Sequence, residues 1–356
     1  MNRHLAELMA RFPNSIDAAL IISEVNRRYY TGVLSSAGTF FVTPNHAELI
    51  IDFRYIEMAE RMADGYQVTL LDSLENRLKS LIKKHGCRKI GIESRYLTVA
   101  ELTRFQQMLP DVSIVSENTL SELIEGQRSI KTSEELEKMQ LAQDVTDRCF
   151  AEILNFIRPG RTERDVENEI SRLIRSFGGE KESFDTIAVS GKNTSMPHGK
   201  PSQKEIKAGD FFTLDFGASL NGYCSDMTRT VAVGGVSPEQ QKVYETVLKA
   251  QKAAFEVIRP GMPCKEVDRT ARDVIDQAGY SGCFGHGLGH SLGLEIHEKP
   301  AFSPSGTAVL STGHVLSVEP GIYLQDRFGV RIEDVVAITE EGFVNLTHSS
   351  KELIVL

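Results

Sequence analysis

Apolar residues along the first third of the chain recur in two rhythms. Short runs rich in β-branched and aromatic residues, "AALIIS", "GTFFVTP", "AELIIDF", "YQVTLLD", "RKIGIES" and "VSIVSEN", alternate with helix-period stretches such as "LENRLKSLIKKHG". That alternation predicts an α/β domain. In front of it, "MNRHLAELMARF" spaces Leu5, Leu8, Met9 and Phe12 as one face of an amphipathic helix. The pattern ends near Glu125, which bounds a first domain over 1–125. A charged segment, "EGQRSIKTSEELEKMQLAQDV", follows, in which Thr132 or Ser133 is placed to cap a long helix opening a second domain over 126–356.

The second domain contains an internal repeat. "FIRPGRTERDVENEISRLIRSFG", beginning at Phe156, aligns without a gap on "VIRPGMPCKEVDRTARDVIDQAG", beginning at Val257. Each copy precedes a β-rich tract, "FFTLDFGASLNGYCSDMTRTVAV" after the first and "HVLSVEPGIYLQDRFGVRIEDVVAIT" after the second. Two copies of one helix-turn-helix unit imply a pseudo-twofold domain whose halves contribute to one shared site.

Those tracts bring acids together. In the first, Asn221-Gly222 is a strong hairpin signal; folding about it sets Asp215 opposite Thr228, with Asp226 a diagonal neighbour on the same face. In the second, a loop centred near Asp326 sets Glu319 opposite or nearly opposite Glu333, and Arg331 shares the face of Glu333. Acids on strands are commonly solvated outer-face residues. Here Asp215 lies within "FFTLDFGA" and Glu319 within "VLSVEPGIY", strands apolar enough to be buried. Four buried carboxylates repel one another and neutralise unless cations are present. Two divalent metals cancel that charge.

Three of the chain's nine histidines fall in "GHGLGHSLGLEIH". The glycine content argues against a helix, the dinucleotide-binding G-x-G-x-x-G spacing is absent there, and a loop entering a strand fits better. Imidazole is the commonest metal ligand, so His290 is assigned as a ligand. The alternating "SLGLEIH" places His297 along the same strand toward the substrate, and His286 behind as a supporting residue.

Composition narrows the remaining classes. At 356 residues, 41% hydrophobic and 25% charged, the chain has the content of a soluble globular protein. No apolar run is long enough for a membrane span or a signal peptide, which points to the cytoplasm. A formal charge of −9 without a Lys/Arg cluster argues against nucleic acid or anionic membranes as partners. Five scattered cysteines without C-x-x-C offer neither a disulfide framework nor a thiolate zinc site.

Taken together, these residues resemble the creatinase/aminopeptidase P/methionine aminopeptidase superfamily, the pita-bread metallopeptidases, and among them the Xaa-Pro peptidases. The resemblance spans nearly the whole chain. "NRRYYTGV" and "DFRY" stand where a creatinase-like N-terminal domain has them; "SMPHGKP", "LDFGASLNGYCSDMTRT", "HGLGHSLGLEIHE", "SVEPGIY" and "GVRIED" follow in the family's order and spacing. The implied fold is an α/β creatinase-like domain followed by an α+β pita-bread domain with an internal pseudo-twofold repeat. The resemblance implies that Asp215 chelates one metal, that Asp226 and Glu333 bridge both, and that His290 and Glu319 bind the other. His314 stands where an uncharged residue is more usual, and strand parity turns it away from Glu319.

By the same resemblance, a hydroxide between two divalent ions is the nucleophile, Glu319 the general acid/base, and His198 and His297 the contacts to the substrate carbonyl and the tetrahedral intermediate. Arg331 is expected to orient Glu333, and Thr228 to hydrogen-bond a ligand carboxylate; both also fit plain sheet pairs. One nitrogen among oxygen ligands favours manganese or cobalt, with iron(II) and zinc as alternatives. The implied activity is an exopeptidase cleaving between an N-terminal residue and proline, in dipeptides or in longer peptides, and a homodimer. An aminopeptidase of broader specificity and a metal-free module binding peptide or protein are the alternatives.

Overall fold

The computed structural model describes residues 2–356, which fall into two compact units, one ending at Arg128 and the other running from Ser129 to Leu356. The first is built on a six-stranded mixed sheet of Ala18–Ile21, Thr39–Thr43, His46–Ile51, Gln67–Leu70, Lys89–Ile92 and Ser113–Val115. Each strand falls, to within one residue, in one of the six apolar runs. In space their order is fourth, third, second, first, fifth, sixth. Helix Leu74–His85 buries Leu78 and Leu81 in a core with Leu20, Phe41, Ile90 and Ile92. Helix Arg3–Ala10 buries Leu5 and Leu8.

In the second unit, helices Ser133–Ile153 and Glu163–Ser176 form the first pair, and Pro238–Val257 and Cys264–Ile275 the second. Thr132 caps the first helix through a reciprocal capping box with Glu135. The two copies of the repeat begin their second helices at equivalent positions, Glu163 and Cys264. Each pair packs into its own apolar core. One gathers Ile153, Val166, Ile170 and Ile174 on Leu214 and Phe216; the other gathers Tyr244, Val247, Val267 and Ala271 on Leu316 and Ile332. At about 1.5–3 kcal/mol for each large side chain fully buried, these cores hold each helix pair on strands beneath it.

Both β-rich tracts fold in the expected registers. Asp215 pairs with Thr228, and the same register continues through Ser219–Cys224 to Leu220–Tyr223. Asn221 and Gly222 close it with φ of 53° and 82°, the two left-handed residues of a type I′ turn. In the second tract Gly321 pairs with Arg331 and Val318 with Asp334, one register about a three-residue turn in which Asp326 has φ of 57°.

Neither hairpin is a single ladder. Strands Phe211–Phe216 and Met227–Ala232 belong to one sheet and Ala218–Leu220 and Tyr223–Cys224 to another; the change comes at Gly217 opposite Asp226. The second hairpin changes sheet at Glu319-Pro320 opposite Ile332-Glu333, where proline has no N–H to continue the ladder. Three of the four acids therefore sit where a hairpin bends, with side chains free of a flat sheet face.

One expectation is corrected. The alternating "SLGLEIH" is not a strand: the strand is only Gly289–Ser291, and 293–297 bend. Leu292, Leu294 and Ile296 do share one apolar cluster, but Gly293 donates back to the Glu295 carbonyl (3.0 Å), and the Cys224 N–H takes the Gly293 carbonyl (2.7 Å). Backbone groups committed to those partners cannot continue the ladder. Among the described residues, no helix is long and apolar enough to cross a membrane.

Candidate active site

Each half supplies part of one acidic cluster. Asp215 leaves strand Phe211–Phe216, Asp226 the bend after Cys224, and Glu333 the bend before strand Asp334–Ile338. Ligand atoms of these three buried residues lie within 4.8 Å of one another. His290 adds its ring from strand Gly289–Ser291: Nε2 stands 3.6 Å from Asp226 Oδ2 and 3.4 Å from Glu319 Oε1. Its Nδ1–H donates to the Ser291 carbonyl (3.2 Å), which leaves Nε2 with a lone pair facing carboxylate oxygens and no proton to share. The Ser317 hydroxyl ties this side together, accepting from the His290 N–H (3.0 Å) and donating to Glu319 Oε1 (3.0 Å).

Among the described residues, Arg331 is the cation in contact with the acids. It pairs with Asp215 through one terminal nitrogen, and its Nε–H donates to Thr228 Oγ1 (3.0 Å). The Thr228 hydroxyl in turn donates to Glu333 Oε2 (2.6 Å). Arg331 thus reaches Glu333 only through Thr228; its direct ion pair is with Asp215, a carboxylate from the other half of the domain. The other terminal nitrogen donates to the Tyr323 hydroxyl (2.8 Å), which lies 2.9 Å from His286 Nε2. Because His286 Nδ1–H donates to the Gly287 carbonyl (2.8 Å), Nε2 accepts from Tyr323. Burial and the nearby Arg331 push the His286 pKa down to about 4, so the ring is neutral as this chain of bonds requires.

The sequence patterns above do not single out Tyr323. The available signal was parity: Glu319, Gly321 and Tyr323 alternate onto one face, and a Cβ at Gly321 would stand 2.5 Å from the Tyr323 hydroxyl.

The acids fit divalent cations. Burial, then the neighbouring acids, raise Asp226 and Glu333 well above the usual carboxylate range; burial is also the main cause that pushes Glu319 up to about 7. One guanidinium cannot balance four carboxylates. Asp215 Oδ1 and Glu333 Oε1 are buried without a hydrogen-bond partner, a costly arrangement for oxygens with nothing positive to face. Oxygen donors with one imidazole and no thiolate suit divalent ions. A cavity of about 890 Å³ opens over the cluster. His198 and His297 line it as exposed side chains, and the His297 ring sits edge-on to His290 with centroids 4.4 Å apart. His314 is buried away from the cavity, its Nδ1 accepting the Ser311 N–H (3.1 Å).

Residues 137–340 match metallopeptidase family M24, and residues 3–130 match the creatinase/prolidase N-terminal domain. The chain belongs to metallopeptidase family M24. It is a metallopeptidase with the family's two-domain architecture, a creatinase-type domain followed by a pita-bread domain, and enzymes of this family bind divalent metal ions. Among curated relatives, this M24 peptidase is 38% identical to an Xaa-Pro dipeptidase of Pyrococcus furiosus over 345 residues, 96% of each chain. Among solved structures it is similar to an Xaa-Pro dipeptidase from Bacillus anthracis, with a TM-score of 0.94, 39% identity and coverage of 99% and 98% of the two chains. It is also similar to an X-Pro aminopeptidase from Thermotoga maritima, with a TM-score of 0.90, 33% identity and coverage of 96% and 98%.

Proposed function

We propose that this M24 peptidase is a two-metal exopeptidase that hydrolyses the bond between an N-terminal residue and proline. The observation that carries it is the convergence of Asp215, Asp226, His290, Glu319 and Glu333 from both halves of the domain, with two buried carboxylate oxygens facing no donor. Asp215, Asp226, His290, Glu319 and Glu333 would hold the cations, with manganese or cobalt preferred. Divalent cations held there supply Lewis acidity and an activated water.

The chain's own residues do the rest. Glu319 takes a proton from the attacking water and delivers it to the prolyl nitrogen as the C–N bond breaks, because that nitrogen leaves poorly unless protonated. His198 and His297, at the cavity wall, donate to the substrate carbonyl and to the charge that develops on it. Arg331 aims Asp215 by its ion pair, and the Thr228 hydroxyl aims Glu333 by its hydrogen bond. The cavity wall also carries Phe184, Ile187, Ile296 and Phe302. A prolyl amide has no N–H to strand against such a wall, whereas a secondary amide would leave a donor unpaired. The names of the similar proteins support the same substrate class. About 890 Å³ lies high in the roughly 300–1,000 Å³ range of small-molecule sites, with room for peptides longer than two residues.

The test is metal content followed by turnover. Wild-type protein is expected to bind about two divalent ions per chain, and Asp226→Ala or Glu333→Ala to lose metal together with activity. Full occupancy in either variant would sink the ligand assignment. Manganese-loaded protein is expected to cleave Ala-Pro or Ala-Pro-Ala with kcat/KM at least about 100-fold above the matching Ala-Ala peptide, roughly 2.7 kcal/mol of differential transition-state binding. Equal values would reject proline specificity and leave the metallopeptidase standing. Protein that takes up no divalent ion would favour a peptide-binding module.

A further inference from the structure

The carboxylate of Glu163 is fully buried, belongs to no part of the metal cluster, and sits on the first residue of helix Glu163–Ser176. Its Oε1 accepts from the Ser190 N–H (2.7 Å), the Ser190 hydroxyl (3.0 Å) and the Asn193 amide (3.0 Å). Its Oε2 accepts from the Ser202 N–H (3.1 Å), the Ser202 hydroxyl (2.7 Å) and again from Asn193 (3.2 Å). These donors lie on both sides of one segment, 190–202, and that segment carries His198.

Within it the backbone continues from the clamp to the imidazole. The Met196 N–H donates to the Asn193 carbonyl (3.1 Å), and the Gly199 N–H closes a turn onto the Met196 carbonyl (3.0 Å), with His198 as the turn's third residue. Lys204 Nζ supports the near side by donating to the Ser190 hydroxyl (2.6 Å), and Arg164, next to Glu163, donates to the Pro201 carbonyl (2.7 Å). The second half of the domain secures its own histidine loop from its matching helix. There Asp268 accepts the Leu288 N–H (2.9 Å), while Arg272 donates to the Phe284 (2.6 Å) and His286 (2.8 Å) carbonyls.

We propose that Glu163 is a positioning residue for His198: by holding Ser190, Asn193 and Ser202 on one carboxylate it fixes both ends of the segment that presents the imidazole to the cavity. A loop tied at one end only would let an exposed ring wander, and a misplacement of about 1 Å can cost on the order of 100-fold in rate. The proposal rests on the role given above to His198.

A double-mutant cycle on manganese-loaded protein with Ala-Pro-Ala decides it. His198→Ala is measured first, then Glu163→Gln, which leaves one acceptor oxygen where there were two, then the pair. Glu163→Gln is expected to keep its metal, to lower kcat roughly 10- to 100-fold and to move KM by less than about threefold. In the His198→Ala background it should cost almost nothing, since both changes remove one function. Amide exchange at Ser190 and Ser202 should quicken in the variant. An undiminished kcat for Glu163→Gln, or losses that multiply in the double variant, would overturn the proposal. If Glu163→Gln fails to fold, Ser202→Ala enters the same cycle and is judged by the same two outcomes. Undiminished kcat in His198→Ala would remove the role assigned to that histidine, and the clamp is then judged by exchange alone, unchanged protection at Ser190 and Ser202 overturning it.

Discussion

Burial, reinforced by the charge of Lys131, pushes the pKa of His314 down to about 4. The neutral ring accepts the Ser311 N–H, a bond that a protonated Nδ1 could not make. The unfolded chain titrates this group near 6.5, so between pH 6.5 and 4 the unfolded state binds the extra proton. The stability that follows from a neutral His314 is complete above about pH 6.5 and is lost as the pH falls toward 4. The difference amounts to about 2 kcal/mol by pH 5. His314→Asn keeps an acceptor without the titration. Urea unfolding of metal-free protein at pH 7.5 and pH 5 should show the variant losing about 2 kcal/mol less than wild type across that interval. Parallel losses would mean that His314 does not titrate as its surroundings require.

Two strands meet so closely beside the site that their spacing depends on one missing side chain. A Cβ at Gly289 would lie 2.0 Å from the Ser317 carbonyl oxygen, and backbone cannot yield as a flexible side chain would. That approach lets one Ser317 hydroxyl serve both the His290 N–H and Glu319. Gly289→Ala should therefore push His290 away from Glu319 and weaken metal binding by roughly 10- to 100-fold, the usual effect of losing support behind a ligand. Equilibrium titration with Mn²⁺ checks this, and unaltered affinity would show that the two strands can separate without moving the ligands. The hairpins illustrate what could be read beforehand at this scale. Asn221-Gly222 and the turn around Asp326 set both registers, because side chains alternate strictly and a short turn leaves little choice of pairing. The bend at 293–297 escaped that reading, since its cause is a set of backbone bonds reaching as far as Cys224.

In the unit from Ser129 to Leu356 each helix pair has its own apolar core, while a further cluster that joins Met139 and Tyr223 to Leu292 and Val335, and the acids, draw on both halves. On the ligand set proposed above, cations held by Asp215 and Asp226 on one side and His290, Glu319 and Glu333 on the other would favour the assembled unit over any state in which the halves part. A ligand at 100 times its Kd stabilises by about 2.7 kcal/mol. Chelation should lower the Tm of this unit and Mn²⁺ should restore it, with no such response in Asp226→Ala. Identical Tm values with and without metal would show that the two halves hold together independently of the site.

From the amino-acid order alone came the six strands of the first unit, the repeat, both hairpin registers and the four acids. All of these depend on short-range causes: side-chain alternation, turn conformations and helix caps acting within a few residues. The tertiary structure alone decided which groups meet across a hundred residues or more. It gave Arg331 to Asp215 rather than directly to Glu333, and set Thr228 against Glu333. Those pairings are set by how the core of one half seats against the core of the other, and no local periodicity carries that information. Glu163 shows the limit most plainly. On a helix-period pattern it reads as an acid in a first turn, favourable beside the helix dipole, and only the return of the chain at Ser190 and Ser202 buries it as the clamp of a segment.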